Sequence, residues 1–290
     1  MNTIWSDCIQ GIDTLNLTRA LRFSDIFREK YQRAFQIDGR KDILEIGCGP
    51  GALCRSLNRW YPEANIYGID RDSQFIEFAR QEAPYISFSE DDATHLSFEN
   101  ERFDVTISNT VQEHIEPAKF FGEQYRVLKK GGVCLVLSAR KGINISAPCI
   151  LEKTEFEREF YRRTDEACEK ALRDYNICSY PMNEAELPLE MGKYGFQNIS
   201  TEFITVNLTP NNPEYSPEMA HAMIDANRRS VLDSIENLKH IIPDLVTPEE
   251  IETLKKIKNE KYDRRISLYD AGVKQWDTNM SLIMVLRGIK

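Results

Sequence analysis

The chain has 290 residues, 41% of them apolar and 29% charged, with a formal net charge of -9. That balance suits a globular α/β domain with a substantial core and a surplus large enough for a cap or small lobe, and it argues against a disordered or membrane chain. With no basic tract, the acidic balance also argues against an electrostatic grip on nucleic acid.

The seven cysteines, Cys8, Cys48, Cys54, Cys134, Cys149, Cys168 and Cys178, are scattered and show no C-x-x-C spacing. Their odd number fits a reducing compartment and no structural zinc. The opening MNTIWSDCIQGIDTLN has neither the basic start nor the apolar run of a secretory signal. No apolar stretch reaches the length of about 18 residues expected of a membrane span. A cytoplasmic protein without a metal site is the expectation.

In chain order, LTRALRFSDIFREKYQRAF spaces Leu17, Leu21, Ile26, Phe27, Tyr31 and Phe35 as an irregular amphipathic helix. An alternation of strands and helices follows. DILEIG is a strand, Leu53, Leu57 and Trp60 recur at helical spacing, NIYGID is a second strand, and Phe75, Ile76, Phe78 and Ala79 mark the next helix. A short third strand lies in ISFSEDDATHLSF, a fourth in RFDVTISNT, a helix in PAKFFGEQYRVLKK and a fifth strand in GGVCLVLS. Strands and helices alternating in this way form βαβ units wound right-handedly into a parallel sheet.

From Lys141 to about Pro188 the chain is charged and largely helical by pattern, and it fits the sheet less easily. FQNISTEFITVNL is the next strand. Ser216 with Pro217 opens one helix, and Thr247, Pro248 and Glu250 open another with the spacing of a capping box. The apolar run MSLIMVLRGIK closes the chain as a sheet strand. The two capped helices therefore leave the sheet and return to it. The expected division is 1–140 for N-terminal helices and a cofactor half, 141–209 for substrate-side helices and the return to the sheet, 210–276 for a helical cap insertion, and 277–290 for the terminal strand. The helices from Ser216 to Tyr262 are expected to cover an acceptor pocket; a homodimer interface is their alternative use.

The stretch ILEIGCGPG carries the chemistry. Gly47, Gly49 and Ala52 formally meet the dinucleotide pattern G-x-G-x-x-G/A, which points first to NAD or FAD. Two residues resist that reading. Glu45 would repel a pyrophosphate but attract an ammonium or sulfonium, and Pro50 removes a backbone N–H from any anion nest. Asp70 ends the second strand 23 positions after Gly47 (70 minus 47), where an acid can accept both hydroxyls of a ribose. An Asp there could instead cap the following helix, a role open to Asp72 or Ser73. Asp92, in the loop after the third strand, could accept from an exocyclic amine.

EIGCGPG, the acid of GID, the DDA loop, FDVTISNTVQEHI with its following helix, and VLKKGGVCLVLS together resemble the class I S-adenosylmethionine-dependent methyltransferases, over roughly Asp38 to Ser138. The resemblance implies a Rossmann-like three-layer α/β/α sandwich with a mostly parallel seven-stranded sheet and a helical cap insertion. It implies S-adenosylmethionine as cofactor. In the cofactor site, Gly47, Cys48, Gly49 and Gly51 would form the loop at the methionine part and adenosine, and Glu45 would organise the amino end. Asp70 would take the ribose hydroxyls with Arg71 beside the adenine; Asp92, with Asp91 as runner-up, would meet the adenine amino group, and Ala93 would offer backbone. Asn109, Thr110 and Val111 would line the methionine portion. His114 matches a histidine frequent in small-molecule members of the family, or else packs the start of its helix.

The implied reaction is methyl transfer to a small or medium-sized acceptor by direct in-line displacement, driven by proximity and exclusion of water, with no obligatory catalytic triad. Alternatives are a non-enzymatic S-adenosylmethionine-binding or regulatory protein and a nicotinamide-dependent oxidoreductase. Tyr180, His221, Arg228 and Trp276 are the candidate acceptor contacts.

Overall fold

The computed structural model describes residues 5–6, 11–147, 152–174 and 178–290, with side chains left undescribed at 139–147 and 172–174. Cys8 and Cys149 lie outside the described residues.

Seven strands form one sheet: β1 Asp42–Ile46, β2 Asn65–Asp70, β3 Ser87–Glu90, β4 Phe103–Asn109, β5 Leu128–Ala147, β6 Gln197–Asn207 and β7 Thr278–Ile289. They lie in the order β3-β2-β1-β4-β5-β7-β6. From β3 to β5 neighbours are parallel, whereas β7 runs antiparallel to both β5 and β6. The helices are α1 Ile12–Arg22, α2 Arg28–Phe35, α3 Ala52–Trp60, α4 Ser73–Glu82, α5 Pro117–Val127, α6 Glu155–Asp174, α7 Glu186–Lys193, α8 Pro217–Ile241 and α9 Pro248–Asp270.

Both faces of the central sheet are covered, so its strands read as continuous apolar runs. Along β5, Val133, Leu135 and Leu137 join the cluster of α2, α3 and α4, while Cys134 and Val136 turn to Phe120 and Phe121 of α5 and to Leu187 and Met191 of α7. The strand order reverses between β1 and β4, where Ile46 pairs with Ser108. Loops leaving the carboxyl ends of two such strands diverge to opposite sides of the sheet and open a crevice between them.

The amphipathic run expected as one helix from Leu17 to Phe35 is split by Phe23, Ser24 and a 3-10 turn at Asp25–Phe27. Asp25 accepts from the Trp60 indole at 2.7 Å and from Arg59, which pulls the chain down onto α3 and redirects it. The fifth strand also continues beyond Ser138: after a register shift between Ala139 and Asn144 it pairs with the start of β7. The caps expected at Ser216 and Thr247 form, the second as a full capping box with Glu250.

The α8–α9 pair is tied into the molecule on two sides. Met223 and Ala226 of α8 pack with Leu21 of α1 and Tyr215, and Ile235, Leu238, Ile251 and Leu254 enclose Phe160 of α6. Arg265, 1% exposed, forks onto Asp277 and reaches Asn211, fixing α9 to the chain entering β7.

Candidate functional site

The crevice at the β1–β4 switch holds a cavity of about 490 Å³, within the range of small-molecule and cofactor sites. Its floor is the glycine turn after β1. Gly47, Gly49 and Gly51 all have positive φ, a backbone region open chiefly to glycine. A Cβ on Gly47 would lie 2.4 Å from a Val111 methyl, so the β1 and β4 loops approach each other only because Gly47 lacks one. Gly51 does not line the cavity; it starts α3 with its Cα against the Phe88 ring and Ala79.

The turn is unsuited to a phosphate. Cys48 N–H donates to the Ile69 carbonyl, Gly49 N–H to Asp70 Oδ2 at 2.8 Å, Gly51 N–H to the Cys48 carbonyl, and Pro50 has no N–H. Three of the donors an anion nest would use are therefore already engaged within the protein. Opposite them stands Glu45, 3% exposed, whose Oε2 has no hydrogen-bond partner. Burial pushes its carboxyl up to about 8, against the lowering pull of Cys54. The Asn109 Oδ1 is likewise buried and unpartnered. Unpaired buried acceptors in a cavity call for a ligand rich in donors, and an ammonium beside Glu45 supplies them. The residues present thus fit an aminoacyl sulfonium cofactor and oppose a pyrophosphate.

Asp70 lines the wall at the end of β2. Its Oδ1 accepts from Asp72 N–H at 2.9 Å and its Oδ2 from Gly49, so the same carboxylate that faces the cavity also shapes the glycine turn. Burial raises its pKa, opposed by those two N–H groups. The cap of α4 is Asp72, which accepts from Gln74 N–H at 3.0 Å. In the next loop Asp91 uses its carboxylate on Asp92 N–H and on Ser97. Asp92 Oδ1 holds Thr94 through its N–H and its hydroxyl. Arg71, Ala93, Asn109, Thr110, Val111 and Cys48 also line the cavity. Burial lifts the Cys48 thiol to about 11, so it stays protonated.

His114 lines the cavity with its ring edge-on to Trp5, centroids 4.8 Å apart. Its Nδ1 accepts from Cys178 N–H at 3.0 Å, and burial, aided by Arg71, holds its pKa down at about 4. At neutral pH the hydrogen bond assigns the proton to Nε2, which leaves the ring a donor rather than a base.

Several lining residues escaped sequence reasoning, among them Trp5, Arg19, Lys119 and Ser179. Arg19 reaches the site because α1 crosses the crevice, where its Nη2 lies 3.4 Å from Thr110 Oγ1. Tyr180 is brought in by two bonds to the loop after β4: its N–H donates to the Glu113 carbonyl at 2.9 Å, and its carbonyl accepts from Gln112. Tyr180 is the one member of the four acceptor candidates that lines the cavity. His221 bonds Asp270, Arg228 bonds Asn259 and Asp263, and Trp276 is 57% exposed. Among the described residues, no lining group comes from the helices of 216–262; α1 lies between them and the cavity.

Residues 44–136 match the model of a methyltransferase domain family. Over 128 residues the chain is 32% identical to the ubiquinone/menaquinone biosynthesis C-methyltransferase UbiE of Campylobacter jejuni, covering 40% of this chain and 53% of that protein. Over 102 residues it is 30% identical to the malonyl-acyl-carrier-protein O-methyltransferase of Hahella chejuensis, covering 33% and 37%. The chain thus spans about half or less of the curated relatives it matches. In fold it is similar to phosphoethanolamine N-methyltransferase 2 of Haemonchus contortus in complex with S-adenosyl-L-methionine, with a TM-score of 0.54 at 17% identity over 99% of this chain and 59% of that one. It is similar also to the cyclase SpnF, with a TM-score of 0.50 at 15% identity over 92% and 80%. The matched domain and the curated relatives agree in what they resemble: over residues 44–136 the chain is similar to a methyltransferase domain.

Proposed function

We propose that this protein binds S-adenosylmethionine in the switch-point cavity and transfers its methyl group to a small or medium-sized acceptor by in-line displacement, in a reducing, cytoplasmic setting. The observation that carries the reading is the buried Glu45 carboxyl, whose Oε2 has no partner, beside a glycine turn three of whose N–H groups are already engaged. The cofactor, when bound, supplies an electrophilic methyl on a sulfonium, which departs as a neutral thioether. Glu45 holds the amino end, and Gly47, Cys48 and Gly49 let the backbone come close. Asp70 receives the ribose hydroxyls, with Arg71, Asp92 and Ala93 at the adenine. Asn109, Thr110 and Val111 position the methionine portion. Trp5 and Tyr180 shield the site from water, which favours an aligned attack over hydrolysis.

The proposed reaction depends on alignment and assigns no obligatory base. The relatives named above are a C- and an O-methyltransferase, so the acceptor atom is to be found by experiment. The test is methyl transfer from labelled S-adenosylmethionine into metabolite extracts, with calorimetry of S-adenosylhomocysteine and NAD beside it. Micromolar binding of S-adenosylhomocysteine without added metal is expected. NAD binding without it would sink the cofactor assignment, and tight cofactor binding with no transfer into any extract would favour a non-enzymatic binding protein.

A further inference from the structure

A second cavity, of about 230 Å³, lies at the carboxyl edge of the sheet between α1, α8 and the start of β7. Arg19 lines both this cavity and the larger one, so the two adjoin at that residue. Beside it stands Arg22, one turn further along α1. Among the described residues, no carboxylate lies within ion-pair distance of either guanidinium. Among the described residues, the side-chain hydrogen bonding of the pair is the long contact of Arg19 with Thr110. The remaining polar wall consists of neutral groups: Thr18 of α1, whose hydroxyl donates to the Leu15 carbonyl, Asn227 and Ser230 of α8, and Asn279 and Ser281 of β7. Asn279 donates to Asn227 Oδ1 at 2.9 Å, which orients the Asn227 amide and leaves its own NH2 without a partner among the described residues.

Two neighbouring guanidiniums with no ion pair among the described residues are an unfavourable arrangement, although Glu113 and Glu45 act on Arg19 from further off. Each guanidinium carries five donors, and holding them half-buried beside a like charge is unfavourable unless they are paired. Burial pulls the pKa of both groups down, and for Arg19 the repulsion of Arg22 adds to it. An anion entering the cavity would remove both penalties, and the planar fork of arginine matches a carboxylate or a phosphate in two-point contact.

Building on the methyl-transfer reading, we infer that the second cavity receives the anionic group of the methyl acceptor, a carboxylate or phosphate monoester, with Arg22 as its charge partner and Arg19 bridging it to the cofactor cavity. The acceptor is then a bifunctional small molecule, its nucleophilic atom turned toward Thr110 and its anion held between α1 and α8.

The test is calorimetric titration of the S-adenosylhomocysteine-saturated protein with inorganic phosphate and, separately, with acetate. Saturable binding of at least one probe is expected. Phosphate alone identifies a phosphate ester, and acetate, alone or with phosphate, a carboxylate. Arg22→Gln should weaken that binding at least tenfold while changing S-adenosylhomocysteine affinity less than twofold; Arg33→Gln, on the exposed face of α2, should change neither. Should Arg22→Gln not fold, Asn227→Asp places a carboxylate in the cavity, and it should abolish probe binding while raising thermal stability. Absence of saturable binding by either probe in a protein that binds S-adenosylhomocysteine overturns the acceptor inference alone. Equal effects of the Arg22 and Arg33 variants overturn it too, as diffuse surface attraction. Failure to bind S-adenosylhomocysteine overturns the methyl-transfer reading, and the inference falls with it.

Discussion

Glu45 is the residue at which electrostatics and function meet most directly. Its folded pKa of about 8 lies above the ordinary 4.5 because burial penalises the charged form. Below about pH 4.5 both folded and unfolded chains hold the proton, and no penalty exists. As pH rises toward 8 the unfolded carboxyl ionises first, so the unfolded chain binds fewer protons and stability falls, by up to about 1.4 kcal/mol per pH unit. Urea denaturation of the ligand-free protein at pH 5 and pH 8 should show this loss, and Glu45→Gln should remove it. An equal loss in the variant would assign it to another group. The cofactor's ammonium favours the carboxylate, so binding should release a proton between those pH values, measurable by calorimetry in buffers of different ionisation enthalpy. Asp70 carries a second expectation. Asp70→Ala removes the partner of Gly49 N–H as well as the proposed ribose contacts. It should weaken S-adenosylhomocysteine binding by about 2–4 kcal/mol, roughly thirty- to several hundredfold, with the fold retained. Parent-like affinity would mean that Asp70 only shapes the turn.

At the level of elements, the question is which segments close over the cofactor. Position in the chain alone favours the two helices from Ser216 to Tyr262, because both their ends are pinned to the sheet. The contacts favour α1 and the Tyr180 segment, since Leu15, Arg19, Ser179 and Tyr180 line the cavity and α8 rests on the far side of α1. Hydrogen exchange with and without S-adenosylhomocysteine distinguishes the two. Amides of α1 and of residues 178–180 should slow on binding, while those of α9 stay unchanged. Strong protection confined to α8 and α9 would restore the cover assignment to them. The elements themselves were largely legible: the seven strands, the caps at Ser216 and Thr247 and the turn at Gly47 follow from alternation and side-chain chemistry within a few residues. Two were not. The break at Phe23–Ser24 depends on Asp25 meeting Arg59 and Trp60, and the extension of β5 to Ala147 depends on β7 being there to pair with it.

The whole molecule is held as one unit by contacts that bind the inserted helices to the sheet. Glu157 of α6, fully buried, pairs with Lys258 and Lys261 of α9 at 2.7 and 2.6 Å. Burial alone would raise its pKa, but hydrogen bonds from those lysines and from Thr154 N–H outweigh it and hold the carboxyl at about 2. Its contribution is therefore present above about pH 4.5 and lost as pH falls toward 2. At the other end of α9, Arg265→Ala would strand Asp277 and Asn211. It should cost about 3–5 kcal/mol, read as a lower urea midpoint of a single transition. A loss below about 1 kcal/mol, or separate melting of the helices, would show α8 and α9 to be peripheral.

From the sequence alone came the parallel sheet, the glycine turn, the acids that follow it at fixed intervals and the rejection of a pyrophosphate by Glu45 and Pro50, because each depends on residues close together in the chain and on backbone geometry that is local. Only the tertiary structure decided that α1 and the Tyr180 segment line the cavity. The same holds for the tautomer of His114, set by a backbone N–H 64 positions away, and for Arg19 and Arg22 meeting at one cavity with no ion pair among the described residues. These features join segments that are distant in sequence, and no periodicity within either partner records the meeting.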